Sequence, residues 1–152
     1  MMSSVTLING RGRSAVRVLI VEDFQPFQEY LCSTLGINPE FHVIGVLSDG
    51  LEAVDQAGKL RPDLILLDVG LPSLNGIEAA RRIRKLSPES RILFVSQESS
   101  ADVVQEAISS GARGYVVKAQ AESELLAAIE AVRKGESFVS SGASAHLTQA
   151  TN

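Results

Sequence analysis

The chain has 152 residues, of which 45% are hydrophobic, so it is long enough to bury the core of one domain. Its 18 acidic residues outnumber its 14 basic residues, and the resulting net charge of -4 argues against direct binding of DNA by this chain. Its best apolar runs, at 18–21 and 64–67, are too short to cross a membrane.

The cellular compartment is predicted from two features. The first residues lack the apolar stretch of a secretory signal, and the one cysteine, Cys32, cannot form an internal disulfide. Both features favour a reducing compartment, so we expect a cytoplasmic protein.

Short apolar runs alternate along the chain with longer stretches of helical period. The runs predict five strands, at 16–21, 41–46, 64–67, 92–95 and 115–117. The stretches between them predict five helices, at 26–35, 50–60, 76–86, 101–110 and 122–134. This alternation predicts an α/β fold: a doubly wound, five-stranded parallel sheet of flavodoxin-like order 2-1-3-4-5 with helices on both faces.

The two ends of the chain fall outside this pattern. Residues 1–14 show no periodicity, and residues 136–152 are rich in Ser, Ala and Thr with few large apolar side chains. We therefore expect one domain at 15–135, an N-terminal tail at 1–14 and a C-terminal tail or linker at 136–152.

Polar side chains follow four of the predicted strands at the point where each strand ends. Glu22 and Asp23 follow the first strand, Asp68 the third, Ser96 the fourth and Lys118 the fifth. Taken singly, such residues often cap helices or close loops. Because the carboxyl ends of parallel strands meet at one edge of the sheet, however, we expect these five side chains to lie together.

Three carboxylates that lie close together repel one another and require a counter-charge. Mg²⁺ suits Asp23 and Asp68, with Glu22 binding it through a water, and Lys118 adds a fixed positive charge. An aspartate between a metal ion, an ammonium group and a hydroxyl is suited to attack a phosphoryl group.

The chain resembles the receiver domain of two-component response regulators over most of its length, from about residue 16 to residue 135. The motifs that carry the resemblance are VLIVED at 18–23, DLILLDVGLPSLNGIEAARRIR at 63–84, ILFVSQ at 92–97 and GARGYVVKA at 111–119. The last motif and the following AIEAVRKGESFVS are most similar to the subfamily that often precedes a helix-turn-helix effector.

The resemblance implies a role for each residue at the strand ends. Asp68 would be the phosphoacceptor, Glu22 and Asp23 the acid pair that helps to hold Mg²⁺, and Lys118 the lysine of the family. Ser96 would be the switch hydroxyl and Tyr115 the switch aromatic. We expect Ser96 to move toward a bound phosphoryl group and Tyr115 to turn inward into the space that Ser96 leaves.

Two positions depart from the family pattern and are predicted to modulate the site. Gln97 stands where a small residue usually leaves the phosphate pocket open, and Gly70 has no side chain at a position that tunes dephosphorylation in the family. Gly70 also argues against an aspartate-nucleophile phosphatase of the haloacid-dehalogenase kind, which has a second aspartate there. A flavodoxin or dinucleotide-binding protein is disfavoured because Glu22 and Asp23 would repel phosphate.

The resemblance therefore predicts a regulator that accepts a phosphoryl group from a sensor histidine kinase or a phosphotransfer protein onto Asp68. The alternative is a receiver-like interaction module that works without phosphorylation, because Gln97 blocks the pocket. In either case no catalytic residues of an enzyme are expected. The surface formed by the predicted helices at 101–110 and 122–134 would change on phosphorylation and meet a partner or a second copy in a homodimer.

Overall fold

The computed structural model describes residues 15–143, which form a parallel sheet with helices on both faces. The first half of the described chain consists of β1 (Val16–Val21), α1 (Gln25–Gly36), β2 (Phe41–Leu47), α2 (Gly50–Leu60), β3 (Leu64–Leu67) and α3 (Gly76–Leu86). The second half consists of β4 (Arg91–Ser96), α4 (Ala101–Ser109), β5 (Gly114–Val117), a 3₁₀ helix (Lys118–Gln120), α5 (Ala121–Arg133) and β6 (Phe138–Val139).

The sheet has six strands in the order β2-β1-β3-β4-β5-β6, all parallel. The α/β class and the order of the first five strands are confirmed, but the predicted count of five strands is wrong. Phe138 pairs with Gly114 and Val139 with Tyr115, so β6 extends the sheet at the β5 edge. Part of the segment predicted as a C-terminal tail therefore packs on the sheet. The predicted tail at 1–14 and residues 144–152 lie outside the described residues.

The core consists of two apolar layers, one on each face of the sheet. The layer shared with α2, α3 and α4 includes Ala53, Ile83 and Val104, and the layer shared with α1 and α5 includes Leu31 and Ile129. The four residues of β3 are all buried, which explains why this strand is apolar throughout instead of alternating. The central strands are thus fixed from both sides, and β3 holds the residue that follows it rigidly.

Polar side chains cap the N-termini of α2 and α3. Asp49 accepts from the N–H of Glu52 at the start of α2, and Asn75 accepts from the N–H groups of Ile77 and Glu78 at the start of α3. Gly135 has a φ of 84° after α5, the left-handed conformation of a helix C-cap. This turn directs the chain back toward β5, where β6 pairs.

No helix within residues 15–143 has both the length and the apolar character needed to span a membrane.

Candidate phosphoacceptor site

The structure brings the predicted residues together at the carboxyl end of the sheet. Within residues 15–143 it shows one group of three acidic side chains with ligand atoms within 4.8 Å of one another, namely Glu22, Asp23 and Asp68. Glu22 is 1% exposed and Asp68 6% exposed, whereas Asp23 is exposed to solvent. The group is therefore anchored in the protein and open on the Asp23 side.

Lys118 links the two buried carboxylates. Its Nζ lies 2.9 Å from Oε1 of Glu22 and 3.2 Å from Oδ2 of Asp68. The same ammonium group lies 4.7 Å from the centre of the Phe27 ring, within the range of a cation–π contact. Lys118 is thus held from two directions and supplies the fixed positive charge that the sequence predicts.

The remaining oxygens of the buried acids accept backbone hydrogen bonds. The N–H of Phe24 donates to Oε2 of Glu22 at 3.0 Å, and the N–H of Val69 donates to Oδ1 of Asp68 at 2.7 Å. Both oxygens of Glu22 and both oxygens of Asp68 therefore already have a protein partner. Asp23 is the exposed acid of the group. Direct binding of a cation by Asp23 and Asp68, with Glu22 acting through a water, stays a prediction.

Burial and charge act in opposite directions on the Glu22–Lys118 pair. Burial raises the pKa of Glu22, and the bonds from Lys118 and the Phe24 amide offset this only in part. Burial alone would lower the pKa of Lys118, but the bond to Glu22 and the charge of Asp68 outweigh it and raise the pKa above the ordinary lysine value. Lys118 therefore remains an ammonium group at neutral pH.

A cleft of about 460 Å³ opens over Asp68. Its lining comprises Asp23, Phe24, Phe27, Asp68, Gly70, Ser96, Gln97, Glu98 and Lys118. Gln97 is exposed at this cleft, and a Cβ built on Gly70 would meet no atom within 4 Å. Neither of the two predicted modulating positions fills the space above the Asp68 carboxylate.

Ser96 and Tyr115 lie beside this cleft, on β4 and β5. Ser96 is buried, and its Oγ accepts from the N–H of Glu98 at 3.3 Å. Tyr115 is fully buried, its ring lies 5.9 Å from that of Phe94, and its hydroxyl donates to the carbonyl of Glu98 at 2.8 Å. The Tyr115 ring is therefore buried in this structure, and the Glu98 carbonyl gives its hydroxyl a partner. A turn of Tyr115 in response to a phosphoryl group stays a prediction.

The loop between Asp68 and α3 is fixed by contacts that sequence reasoning missed. A Cβ on Gly76 would lie 1.9 Å from the Asp68 carbonyl oxygen, so only glycine fits there. The Ser73 hydroxyl donates to Asp49, and the N–H of Gly50 donates to the Pro72 carbonyl at 3.1 Å. Asp49 comes shortly after the end of β2, much as Asp68 comes after the end of β3. This position in the sequence is the one feature that predicts Asp49 at the same edge of the sheet.

Comparisons with known proteins agree with this geometry. A sequence profile described as "Response regulator receiver domain" matches residues 18–130. The chain is 32% identical over 124 residues to "Transcriptional regulatory protein DegU" of Brevibacillus brevis, covering 82% of this chain and 52% of the relative. It is 33% identical over 118 residues to "Chemotaxis protein CheY" of Thermotoga maritima, covering 78% of this chain and 98% of that protein.

Among solved structures, a two-component response regulator of the LuxR family from Aurantimonas sp. SI85-9A1 superposes with a TM-score of 0.85 at 29% identity. The superposition covers 91% of this chain and 99% of the other. The chain thus spans about half the length of the DegU relative, 52%, and nearly all of the CheY relative, 98%.

Proposed function

This chain belongs to the family of response regulator receiver domains, and from that membership we propose that Asp68 is the residue that accepts the phosphoryl group. The family works by phosphorylation in two-component signalling. The observation that carries the assignment is the Asp68 carboxylate itself, which lies at the end of a buried central strand, bonds to Lys118 and the Val69 amide, and faces an open cleft.

In the proposed reaction, a carboxylate oxygen of Asp68 forms a bond to phosphorus while the bond between phosphorus and the imidazole nitrogen of a phosphohistidine donor breaks. The electron pair stays on that nitrogen, which takes up a proton from solvent. Lys118 neutralises negative charge that develops on the phosphoryl oxygens, because its ammonium already lies 3.2 Å from Asp68. Ser96 lines the same cleft and supplies a hydroxyl there.

We propose that Asp23 and Asp68 hold Mg²⁺ directly and that Glu22 supports it through a water. The donor set fits this ion because Mg²⁺ is held by hard oxygens, with one or two carboxylates completed by waters and phosphate oxygens. When bound, the ion neutralises negative charge on the acids and on the phosphoryl oxygens. Lys118 and the Val69 amide orient the acceptor oxygens of Asp68.

The proposed role makes the chain a substrate of its donor, without an enzymatic activity toward other molecules. The donor would be a sensor histidine kinase or a phosphotransfer protein, and the response would be a changed surface around α4 and α5 that meets a partner or a second copy. We place this activity in the cytoplasm. The net charge of -4 supports the absence of direct DNA binding by this chain.

The alternative of an interaction module without phosphorylation rests on Gln97. Its side chain is exposed and lines the cleft without contacting Asp68 by any hydrogen bond found within residues 15–143. The open space over Asp68 favours the phosphoacceptor. A phosphorylation assay separates the two functions.

The proposal is tested by incubating the chain with acetyl phosphate and Mg²⁺ and measuring intact mass. We expect the gain of one phosphoryl group, and we expect Asp68→Asn to abolish it because an amide is not a nucleophile toward phosphorus. Asp102→Asn is the matched control, since Asp102 is exposed in the first turn of α4 and outside the cleft. Equal labelling of Asp68→Asn and the control would place the acceptor elsewhere, and no labelling of the unaltered chain would favour the interaction module.

A further inference from the structure

Residues 138–143, here called the C-terminal strap, lie along the edge of β5 that would otherwise be the end of the sheet. Beyond the β6 pairing, the N–H of Ser140 donates to the Tyr115 carbonyl at 2.8 Å. Ser140 is 0% exposed although it is polar, and Ala143 at the end of the strap is also 0% exposed. Burial of a serine requires partners for its hydroxyl, and these partners show what the strap holds.

The Ser140 hydroxyl joins two elements of the fold. Its Oγ accepts from the N–H of Val117 at 2.9 Å and donates to Oε1 of Glu124 on α5 at 2.7 Å. Val117 is the last residue of β5 and directly precedes Lys118. The hydroxyl therefore fixes the backbone at the point from which the Lys118 side chain reaches into the cleft.

A second set of contacts holds the other end of this turn. Gln120, the last residue of the 3₁₀ helix, donates from Nε2 to the Ser141 hydroxyl at 3.2 Å and accepts from the N–H of Gly142 at 3.3 Å. Ser141 in turn donates its hydroxyl to Oε2 of Glu124 at 3.2 Å. The polar contacts of the strap thus fall on two places, the short stretch 117–120 that contains Lys118 and the Glu124 carboxylate on α5.

We propose that the C-terminal strap is a clamp that sets the position of Lys118, and that Ser140 is a positioning residue for phosphorylation of Asp68. The inference rests on the proposed function of Asp68. A cap for a sheet edge needs only the ladder that Phe138 and Val139 make. The polar side-chain contacts go further, because they tie both ends of the Lys118 turn to one segment and to α5.

Such a connection acts in both directions. If the strap stabilises the turn in the geometry that suits the phosphorylated state, then phosphorylation must stabilise the strap to the same extent. The strap leads directly into the C-terminal residues of the chain. The balance between the closed and the open strap is therefore the route by which phosphorylation of Asp68, which favours the closed strap, reaches whatever follows residue 143. A ligand that opens the strap would lower phosphorylation.

The test compares Ser140→Ala with Ser137→Ala in the chain of 152 residues. Ser137 is the matched control because it is an exposed serine three residues earlier that makes no hydrogen bond within residues 15–143. With acetyl phosphate and Mg²⁺ we expect Ser140→Ala to lower the phosphorylation rate at saturating donor by about three- to tenfold, because only part of the two hydrogen bonds that Ser140 loses is felt at Lys118. The donor concentration at half-saturation should not change, since the clamp acts on Lys118 and not on donor access.

Hydrogen exchange separates this role from a general loss of stability. In Ser140→Ala the Val117 amide should exchange about tenfold faster, while the Leu66 amide in the central strand keeps its rate. In the unaltered chain, beryllofluoride with Mg²⁺ should slow exchange of the Ser140 amide, and Asp68→Asn should abolish that response. Glu124→Gln should restore most of the rate that Glu124→Ala loses, because the amide oxygen still accepts from Ser140.

The inference is overturned if Ser140→Ala is phosphorylated as fast as Ser137→Ala, or if the Val117 and Leu66 amides accelerate together. Either result leaves the proposed function standing, because the unaltered chain is still labelled at Asp68. Failure of the unaltered chain to be labelled overturns the proposed function, and the inference about the clamp is then overturned as well. The two failures are therefore distinguishable in the same set of measurements.

Discussion

At the scale of single residues, Lys118 is the side chain that compensates the negative charge of the two buried acids. Its ammonium bonds to Glu22 and Asp68, and both carboxylates are buried, with side-chain exposures of 1% and 8%. Removal of one partner from a buried ion pair is costly because it leaves the other charge without compensation. The same charge that permits two acids to be buried is the one proposed to neutralise an incoming phosphoryl group, so stability and function depend on the same atom.

Tyr115 is predicted to make stability depend on alkaline pH. Burial raises the pKa of Tyr115 from 10.0 to about 12. A raised pKa in the folded state means that the neutral phenol is favoured there, so this contribution is complete below pH 10 and is lost as the pH rises toward about 12. We expect the free energy of unfolding to fall by about 2–3 kcal/mol over this range from Tyr115 alone.

The measurement uses the phenolate absorbance of Tyr30→Phe, in which Tyr115 is the only tyrosine of the chain. Urea unfolding at about pH 9 and about pH 11 gives the change in stability, with Tyr115→Phe as the control that keeps the ring and removes the ionisable group. The Phe variant should lose less stability than the unaltered chain between the two pH values. Equal losses would show that the buried hydroxyl has no part in the transition.

At the scale of elements, the loop after β3 is the part that holds Asp68, the proposed acceptor, in place. Gly76 begins α3 directly against the Asp68 backbone, and its N–H donates to the Val69 carbonyl at 2.7 Å. Asp49 accepts from Ser73, which lowers the pKa of Asp49 and keeps its carboxylate charged at the start of α2. This loop is therefore attached to two helices, so a shift of Asp68 would disturb both.

Gly76→Ala is expected to lower both stability and phosphorylation. Because the new Cβ would lie 1.9 Å from the Asp68 carbonyl oxygen, the start of α3 must move, and we expect a loss of about 3 kcal/mol. Gly36→Ala is the matched control, since a Cβ there meets nothing within 4 Å at the end of α1, and it should change stability by less than about 0.5 kcal/mol. Urea unfolding of the two variants checks the prediction, and similar stabilities would contradict it.

The elements that the sequence predicts well are those with strong local patterns. The runs at 16–21 and 64–67 match β1 and β3, and the stretches at 50–60 and 76–86 match α2 and α3. The sequence does not predict the sixth strand, because Phe138 and Val139 are only two apolar residues in a segment rich in serine. What makes them a strand is the free edge of β5, and local sequence does not contain that information.

In the site, too, some features are predicted by the sequence and others depend on tertiary contacts. Convergence of Glu22, Asp23, Asp68 and Lys118 follows from the rule that parallel strands end at one edge of the sheet, and the distances in the structure agree with it. The contacts of Tyr115 with Glu98 and of Val117 with Ser140 depend on side-chain rotamers and on a distant segment. The positions of the strand ends in the sequence do not predict such tertiary contacts.

At the scale of the whole molecule, the buried sheet and the acidic site place opposite demands on stability. The sheet is covered by apolar layers on both faces, whereas three acidic side chains with one neighbouring ammonium leave an excess of negative charge at its carboxyl edge. The chain as a whole also carries a net charge of -4. The fold therefore tolerates repulsion at the site in order to keep acids where a cation can bind.

Mg²⁺ is expected to stabilise the folded chain through this site. A ligand that binds only the folded state adds about 2.7 kcal/mol at a concentration of 100 times its Kd, which corresponds to a rise in Tm of about 5–10 °C for a chain of this size. Asp23→Asn should lose most of this gain because it removes a proposed direct ligand. Without Mg²⁺, however, the variant should be at least as stable as the unaltered chain, since one of three mutually repelling carboxylates is gone.

Thermal unfolding with and without Mg²⁺, at equal ionic strength set by KCl, measures both effects. Asp102→Asn removes one negative charge at an exposed position of α4 and serves as the control for general screening of a chain of net charge -4. If Mg²⁺ acts only by screening, Asp23→Asn and Asp102→Asn will gain the same rise in Tm, and the proposed ion site is wrong. If the ion binds at the sheet edge, the control keeps the full rise and Asp23→Asn does not, because the two variants carry the same net charge and differ only in where the carboxylate is lost.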